Sequence, residues 1–186
     1  MKSNLLEGTL VRLTAEEPAV IAEAVSRWGG DSEYLRLLDA EPSNRFSIKQ
    51  LTEWIQKDQE KVPLPYHYFA IRSLEDDRLV GFTALDADGY PNGDAFVGIG
   101  IGERGFWGKG YGTDAMRVIL RYAFQELNLR RVSLTTFEYN PRAIRSYEKV
   151  GFIHEGRARK FLLREARRWD LIFMGILREE WLAGSG

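Results

Sequence analysis

Apolar positions recur along this chain with two periods, near 3.6 for helices and two for strands. Thr9–Leu13 reads as a short strand, with Leu10, Val11 and Leu13 apolar and Arg12 between them. Thr14 then reads as a helix N-cap with Glu16 and Glu17 in the first turn. Val20, Ile21, Ala24, Val25 and Trp28 continue that helix to Gly29-Gly30. Residues 31–44 are less regular and read as a helical turn and loop, made acidic by Asp31, Glu33, Asp39 and Glu41. Ser47 caps a second amphipathic helix, with Leu51, Trp54 and Ile55 on one side. It runs to about Glu60, where Val62-Pro63-Leu64-Pro65 breaks it.

Tyr66–Ser73, Leu79–Leu85 and Asp94–Gly102 are three strand candidates, separated by turn signals at Glu75-Asp76-Asp77 and over Asp86–Gly93. They predict an antiparallel meander. The clearest helix carries Met116, Ile119, Leu120, Ala123 and Leu127 on one stripe and stops at Asn128. Arg131–Phe137 is another strand, so residues 94–137 read strand, loop, helix, strand. That order predicts two parallel neighbours joined by a right-handed crossover. Asn140-Pro141 opens a further helix that ends at Gly151. Phe152–Glu155 begins a strand, Arg157–Arg168 is strongly basic and contains a turn, and Trp169–Leu177 is the last strand. No linker, repeat or low-complexity stretch divides the chain, which predicts one domain over residues 1–186.

Composition narrows the chemistry. Hydrophobic content of 44% and charged content of 28% are ordinary for a globular protein. A net charge of −1 argues against nucleic-acid binding through bulk charge. No apolar run reaches membrane-spanning length and the start lacks a signal-peptide pattern, so no membrane partner is expected and a cytoplasmic location is the default. Cysteine is absent, which excludes disulfides, thiolate metal sites and a cysteine nucleophile. His67 and His154 stand alone, without metal-ligand spacing, so no metal is expected.

The chemistry concentrates in Val97–Thr113, V-G-I-G-I-G-E-R-G-F-W-G-K-G-Y-G-T. An apolar strand runs into Gly105, Gly108, Gly110 and Gly112 and then directly into the strongest helix. Glycine lets backbone approach a ligand, and a helix start presents unpaired N–H groups with partial positive charge. Together they predict a phosphate seat. A nucleoside-triphosphate loop needs Gly-Lys-Ser/Thr, and Lys109 lies between two glycines instead. A dinucleotide site needs a third glycine where Thr113 stands, although Glu138 could serve as its acid. A plain surface turn would not call for so many glycines.

A third reading, coenzyme A, rests on a resemblance. W-G-K-G-Y-G-T-D-A (Trp107–Ala115) resembles the acyl-CoA motif of the GNAT N-acetyltransferase superfamily, roughly [QR]-x-x-G-x-[GA]. N-P-R-A-I-R-S-Y-E-K-V-G-F (Asn140–Phe152) resembles its second motif, N-x-x-A-x-x-x-Y-x-x-x-G-F. Trp107 departs from the pattern's Gln or Arg and is similar to the ribosomal-protein N-terminal acetyltransferase (RimJ/RimL-like) branch.

The resemblance implies an α/β (α+β) fold. Its sheet is seven-stranded, mixed and mostly antiparallel, with a central parallel pair splayed by a bulge and helices on both faces. It implies acetyl-CoA as cosubstrate, its pantetheine arm against Ile99, Gly100 and Ile101, with an N–H near Ile101 holding the thioester oxygen. Pyrophosphate is expected on the amides of Gly108, Lys109, Gly110, Tyr111, Gly112 and Thr113, beside Trp107. Arg104 and Lys109 are candidate cations and Asn140 a further CoA contact. Tyr147 matches the family tyrosine near the sulfur, with Ser146 behind it. Glu103, Glu138 and Asp94 are the carboxylates nearest the expected cleft and the candidates for a base.

The implied reaction is direct attack by a primary amine in a ternary complex. An α-amine near pKa 8 is about a tenth neutral at pH 7, whereas a lysine amine is below about a thousandth. An unassisted site therefore favours a peptide N-terminus. The other readings are a small-molecule amine acetyltransferase acting on a polyamine, amino sugar or antibiotic, and a non-catalytic acyl-CoA-binding sensor or partner-binding module. A homodimer stays open, because Trp28, Trp54, Trp169 and Trp181 suit a core or an interface equally.

Overall fold

A computed structural model describes residues 4–60, 66–87 and 92–184, and the elements follow the hydrophobic pattern closely. The N-terminal part runs β1 (Val11–Thr14), α1 (Pro18–Trp28), α2 (Ser32–Leu38) and α3 (Ile48–Gln59). The meander follows as β2 (Tyr66–Ser73), β3 (Leu79–Asp86) and β4 (Asp94–Ile101). Then come α4 (Tyr111–Arg121), β5 (Arg131–Phe137), α5 (Pro141–Glu148), β6 (Ile153–Arg164), β7 (Arg167–Leu177) and α6 (Arg178–Gly184).

One seven-stranded sheet has the order β1-β2-β3-β4-β5-β7-β6. All neighbours are antiparallel except β4 and β5, which are parallel and pair only from Asp94↔Arg131 to Phe96↔Ser133. Beyond Phe96 the two strands part. The bulge expected in β4 is not what parts them. β4 keeps unbroken register with β3 from Phe96 to Ile101, and β5 keeps unbroken register with β7 from Arg131 to Phe137. Each strand follows its own half-sheet, and the twist of the two halves opens the gap.

The helices take opposite faces. Val118, Ile119, Leu120 and Ala115 of α4 join Val11, Ile71, Leu85, Val97, Val132, Met174 and Ile176 in the main core, and Ile144 and Tyr147 of α5 pack against it. On the other face, Ala24 and Trp28 of α1 and Tyr34 of α2 form a second core with Ala70, Leu79 and Phe82.

Several boundaries differ from the sequence expectation. Thr14 does not cap α1: Pro18 occupies the first turn, Glu17 is the cap residue, and Thr14 belongs to β1, where its hydroxyl donates to Glu16 at 2.8 Å. Proline preset for a helix start wins over the upstream threonine. Residues 31–44 contain a true helix, α2, because the Asp31 carboxylate accepts from the N–H groups of Glu33 and Tyr34 at 3.0 and 3.3 Å. The stripe ending at Leu127 is not α-helical throughout. Tyr122–Glu126 form a π-helical turn, with Leu127 N–H donating to the Tyr122 carbonyl at 3.1 Å, and Asn128 then stops it at φ 53°.

Ser47 does cap α3, exchanging bonds with Gln50, whose N–H it accepts at 3.2 Å. The basic run 157–168 is the end of β6, a tight turn at Glu165-Ala166 with both residues at positive φ, and the start of β7. The break at 62–65 and the middle of the 86–93 loop lie outside the described residues. No described helix is long and apolar enough to cross a membrane.

Candidate functional site

The gap between β4 and β5 is the centre of a cleft of about 470 Å³. Strand residues alternate between faces, so the parted strands line it on both. Ile101 turns toward α4, its Cγ1 3.5 Å from where a Gly112 Cβ would stand. Gly100 turns the other way, toward Tyr34, Leu38 and Phe82. The cleft therefore runs through the sheet, with one mouth at the glycine loop and α5 and the other at α2, Phe137 and Leu171.

The glycine loop fits a phosphate seat. Gly108 and Gly110 hold φ of 72° and 95°, and Gly110 is the residue that starts α4. Gly108, Gly110, Gly112 and Thr113 line the cleft, so the free N–H groups of the first turn of α4 border it. Thr113 and Ser146 join their hydroxyls at 2.7 Å, which ties the start of α4 to α5. Asn140 starts α5, accepting from Ala143 N–H at 3.2 Å, and also lines the cleft.

Residues 9–153 match the model of the acetyltransferase (GNAT) domain family. The chain belongs to the GNAT acetyltransferase family. It is similar to the SPbeta prophage-derived uncharacterized N-acetyltransferase YokL of Bacillus subtilis (strain 168), 30% identical over 181 residues, 97% of this chain and 96% of that one. YdaF of the same organism, named as a candidate ribosomal N-acetyltransferase, is 35% identical over 108 residues, 58% of each chain. The fold is shared with the crystal structure of spermidine N-acetyltransferase from Vibrio cholerae in complex with CoA and spermine. The TM-score there is 0.80 at 24% identity, over 92% of this chain and 98% of that one. As a GNAT N-acetyltransferase, the protein takes acetyl-CoA as its cosubstrate.

With the GNAT framework in place, the expected site residues divide into two groups. Ile99, Gly100, Ile101, Trp107, Gly108, Gly110, Gly112, Thr113, Asn140, Ser146 and Tyr147 all border the cleft. Tyr111 does not: its side chain is buried in the core, its ring against Phe106 at 4.7 Å and its hydroxyl donating to Glu75 at 3.3 Å, which leaves only its backbone near the loop. Lys109 is exposed beside the cleft rather than on its wall. Arg104 is held by Asp31 at 2.7 Å and Glu33 at 2.8 Å.

None of the three carboxylates lines the cleft. Glu103 accepts from Arg27 at 2.7 Å and Trp28 Nε1 at 3.0 Å. Burial pushes its pKa up, but those hydrogen bonds outweigh it and hold the carboxyl below its ordinary range. Glu138 accepts from Asp170 N–H at 3.2 Å, and Asp94 pairs with Arg130 at 2.9 Å. Among the described residues, the cleft wall contains no Asp, Glu or His.

Its charged residues are Arg142 and Arg145 on α5 and Lys149 at its C-terminal cap, all missed by the sequence reading. Arg142 stacks on the Trp107 ring at 4.0 Å and Arg104 approaches the ring at 4.7 Å. Trp107 Nε1 donates to the Ile101 carbonyl at 2.6 Å. Burial depresses the Arg142 pKa, yet at arginine's starting value the group stays charged. Tyr147 rises from α5 with its ring against Phe152 at 6.0 Å, and burial pushes its phenol up to about 12.

Proposed function

We propose that this GNAT enzyme acetylates the α-amine of a peptide or protein N-terminus by direct attack on acetyl-CoA. The carrying observation is the charge of the cleft wall: three cations from α5 and its C-terminal cap, and no carboxylate among the described residues. The cations suit the phosphates of acetyl-CoA, next to the amides of Gly108 to Thr113. The pantetheine arm fills the place of the missing strand, along the Ile99–Ile101 backbone, where β4 has left β5. An N–H in that stretch holds the thioester oxygen as negative charge develops on it.

The missing carboxylates bear on the acceptor twice. A polyamine carries several ammonium groups, and taking them out of water calls for acidic partners. An amine held at pKa near 10.4 also needs a base, whereas an α-amine near 8 supplies its own neutral fraction. Tyr147 stays neutral well above neutral pH, so it serves the departing CoA sulfur as a hydrogen-bond donor. A protein acceptor is also in keeping with the name of YdaF.

The test measures CoA release with acetyl-CoA and three acceptors: peptides with free N-termini, spermidine and an amino sugar. Turnover of the peptides is expected, with kcat/KM rising to about pH 8 as the α-amine deprotonates. Preferential turnover of spermidine or the amino sugar would refute the reading.

A further inference from the structure

The acceptor face of the cleft holds one phenol with no assigned task. Tyr34, on α2, is 4% exposed and lines the cleft. Its ring is fixed edge-on against Trp28 at 6.2 Å. Its backbone N–H is spent on Asp31 at 3.3 Å. Its hydroxyl makes no hydrogen bond among the described residues, and since no fully buried side-chain polar atom there lacks a partner, it opens to the cleft.

The position of that hydroxyl is specific. A Cβ on Gly100 would stand 3.1 Å from Tyr34 Oη and 3.0 Å from Phe82 Cε1. The phenol therefore reaches the β4 backbone itself, in the middle of the Ile99–Ile101 stretch, because residue 100 has no side chain. It does so on the face opposite α4, α5 and Tyr147. Tyr147 on α5 and Tyr34 on α2 thus face the cleft from opposite sides of the gap, and neither hydroxyl has a hydrogen-bond partner among the described residues.

We propose that the Tyr34 hydroxyl binds the acceptor nitrogen and turns its lone pair toward the thioester carbon. This rests on the reading of the cleft as the acetyl-transfer site. The phenol oxygen accepts a hydrogen bond from the neutral amine. As the N–C bond forms, the C–S bond breaks and its electron pair stays on sulfur. The nitrogen gives up one proton to cleft water, and the thiolate takes one up, so the proton count balances. Burial raises the Tyr34 phenol well above its ordinary value of 10, so it acts as a neutral hydrogen-bonding group and not as a base. Gly100 is then required to leave room for it.

Tyr34→Phe deletes the hydroxyl and keeps the ring. Thermal unfolding, calorimetric acetyl-CoA affinity and steady-state CoA release with a peptide acceptor are compared with wild type. The expected result is an unchanged Tm, an unchanged acetyl-CoA Kd and a fall of about tenfold in kcat/KM for the acceptor, the scale of one hydrogen bond. An unchanged kcat/KM in Tyr34→Phe overturns the inference alone. So does a defect confined to Thr135→Val, which would move the task to the hydroxyl on the β5 wall. A wild-type enzyme that releases no CoA with any amine would take the transfer-site reading down as well.

Discussion

Three alanine substitutions in the glycine loop separate backbone strain from ligand approach, because the glycines are there for different reasons. Gly108 and Gly110 sit at φ of 72° and 95°, where a Cβ meets the neighbouring carbonyl. Space is not the obstacle at Gly108, which has nothing within 4 Å of a Cβ. At Gly110 the added atom would also lie 3.3 Å from Leu10 Cδ1. Each substitution should cost about 1–2 kcal/mol. In a chain of this size that is about 2–8 °C in Tm.

Gly112 is the opposite case. It lies in the first turn of α4 with a helical backbone, and its Cβ would make an ordinary contact 3.5 Å from Ile101 Cγ1. Alanine there should stabilise the free protein by about 0.5–1 kcal/mol, because glycine is the poorer helix residue. Tm should rise by about 1–4 °C. Yet Gly112 borders the cleft where the phosphates are proposed to meet the amides. A methyl group there would lengthen one or more charge-assisted hydrogen bonds, each of about 1.5–3 kcal/mol. That is a loss of about 10–100-fold in acetyl-CoA affinity. Differential scanning calorimetry and titration calorimetry on the same three variants give both numbers. A Gly112→Ala protein that is less stable than wild type would refute the strain assignment. One that binds acetyl-CoA as tightly as wild type would remove Gly112 from the cofactor seat.

Two further predictions concern what holds α4 and the first strand in place. The buried Asp114 carboxylate accepts from Leu10 N–H at 2.7 Å, Val11 N–H at 3.1 Å and the Thr9 hydroxyl at 3.0 Å. Asp114→Ala orphans two backbone donors and should cost about 3–5 kcal/mol in urea unfolding. Asp114→Asn keeps an oxygen for both N–H groups and can donate to Thr9, so it should cost about 1–2 kcal/mol, and equal losses would contradict that geometry. Glu16 is held below its ordinary 4.5 chiefly by the hydrogen bond from Arg72, with burial opposing. Its folded pKa is depressed, so its stabilisation is present above pH 4.5 and is lost as pH falls through the folded value. Glu16→Gln should flatten the acid limb of the stability profile, and an unaltered limb would show that the pair contributes nothing there.

What was legible in the sequence was the part with a strong local signal. The α4 stripe, the Asn140-Pro141 start and the Ser47 cap each rest on a few neighbouring residues, and each recurs in the structure. β6 was shortened to its first residues because it is an edge strand that is largely exposed, so its polar and basic side chains show no alternation. α2 was blurred because a seven-residue helix carries barely two turns of pattern. That blur concealed Tyr34, whose place in the cleft depends on how α2 lies across Gly100. Arg142, Arg145 and Lys149 were hidden differently. On a helix surface they look like ordinary solvated charge, and only the docking of α5 beside the gap turns them toward it.

Trp107 shows the same limit from the other side. It departs from a pattern that has Gln or Arg at that position, and the sequence alone reads it only as a likeness to the RimJ/RimL-like branch. In the fold its indole N–H occupies the Ile101 carbonyl at 2.6 Å. Gly102 N–H donates to Val80 of β3 at 2.9 Å. In an antiparallel strand the neighbouring residue points its N–H and carbonyl the opposite way, so those of Ile101 face the gap. The Ile101 N–H beside that carbonyl then suits the thioester contact proposed above. The face of the indole meanwhile carries the Arg142 guanidinium at 4.0 Å. A cation is thus present at position 107 through space, supplied by α5 rather than by residue 107 itself. The residue that departs from the pattern along the chain is, in three dimensions, a way of holding a strand carbonyl and a neighbouring arginine with one rigid side chain.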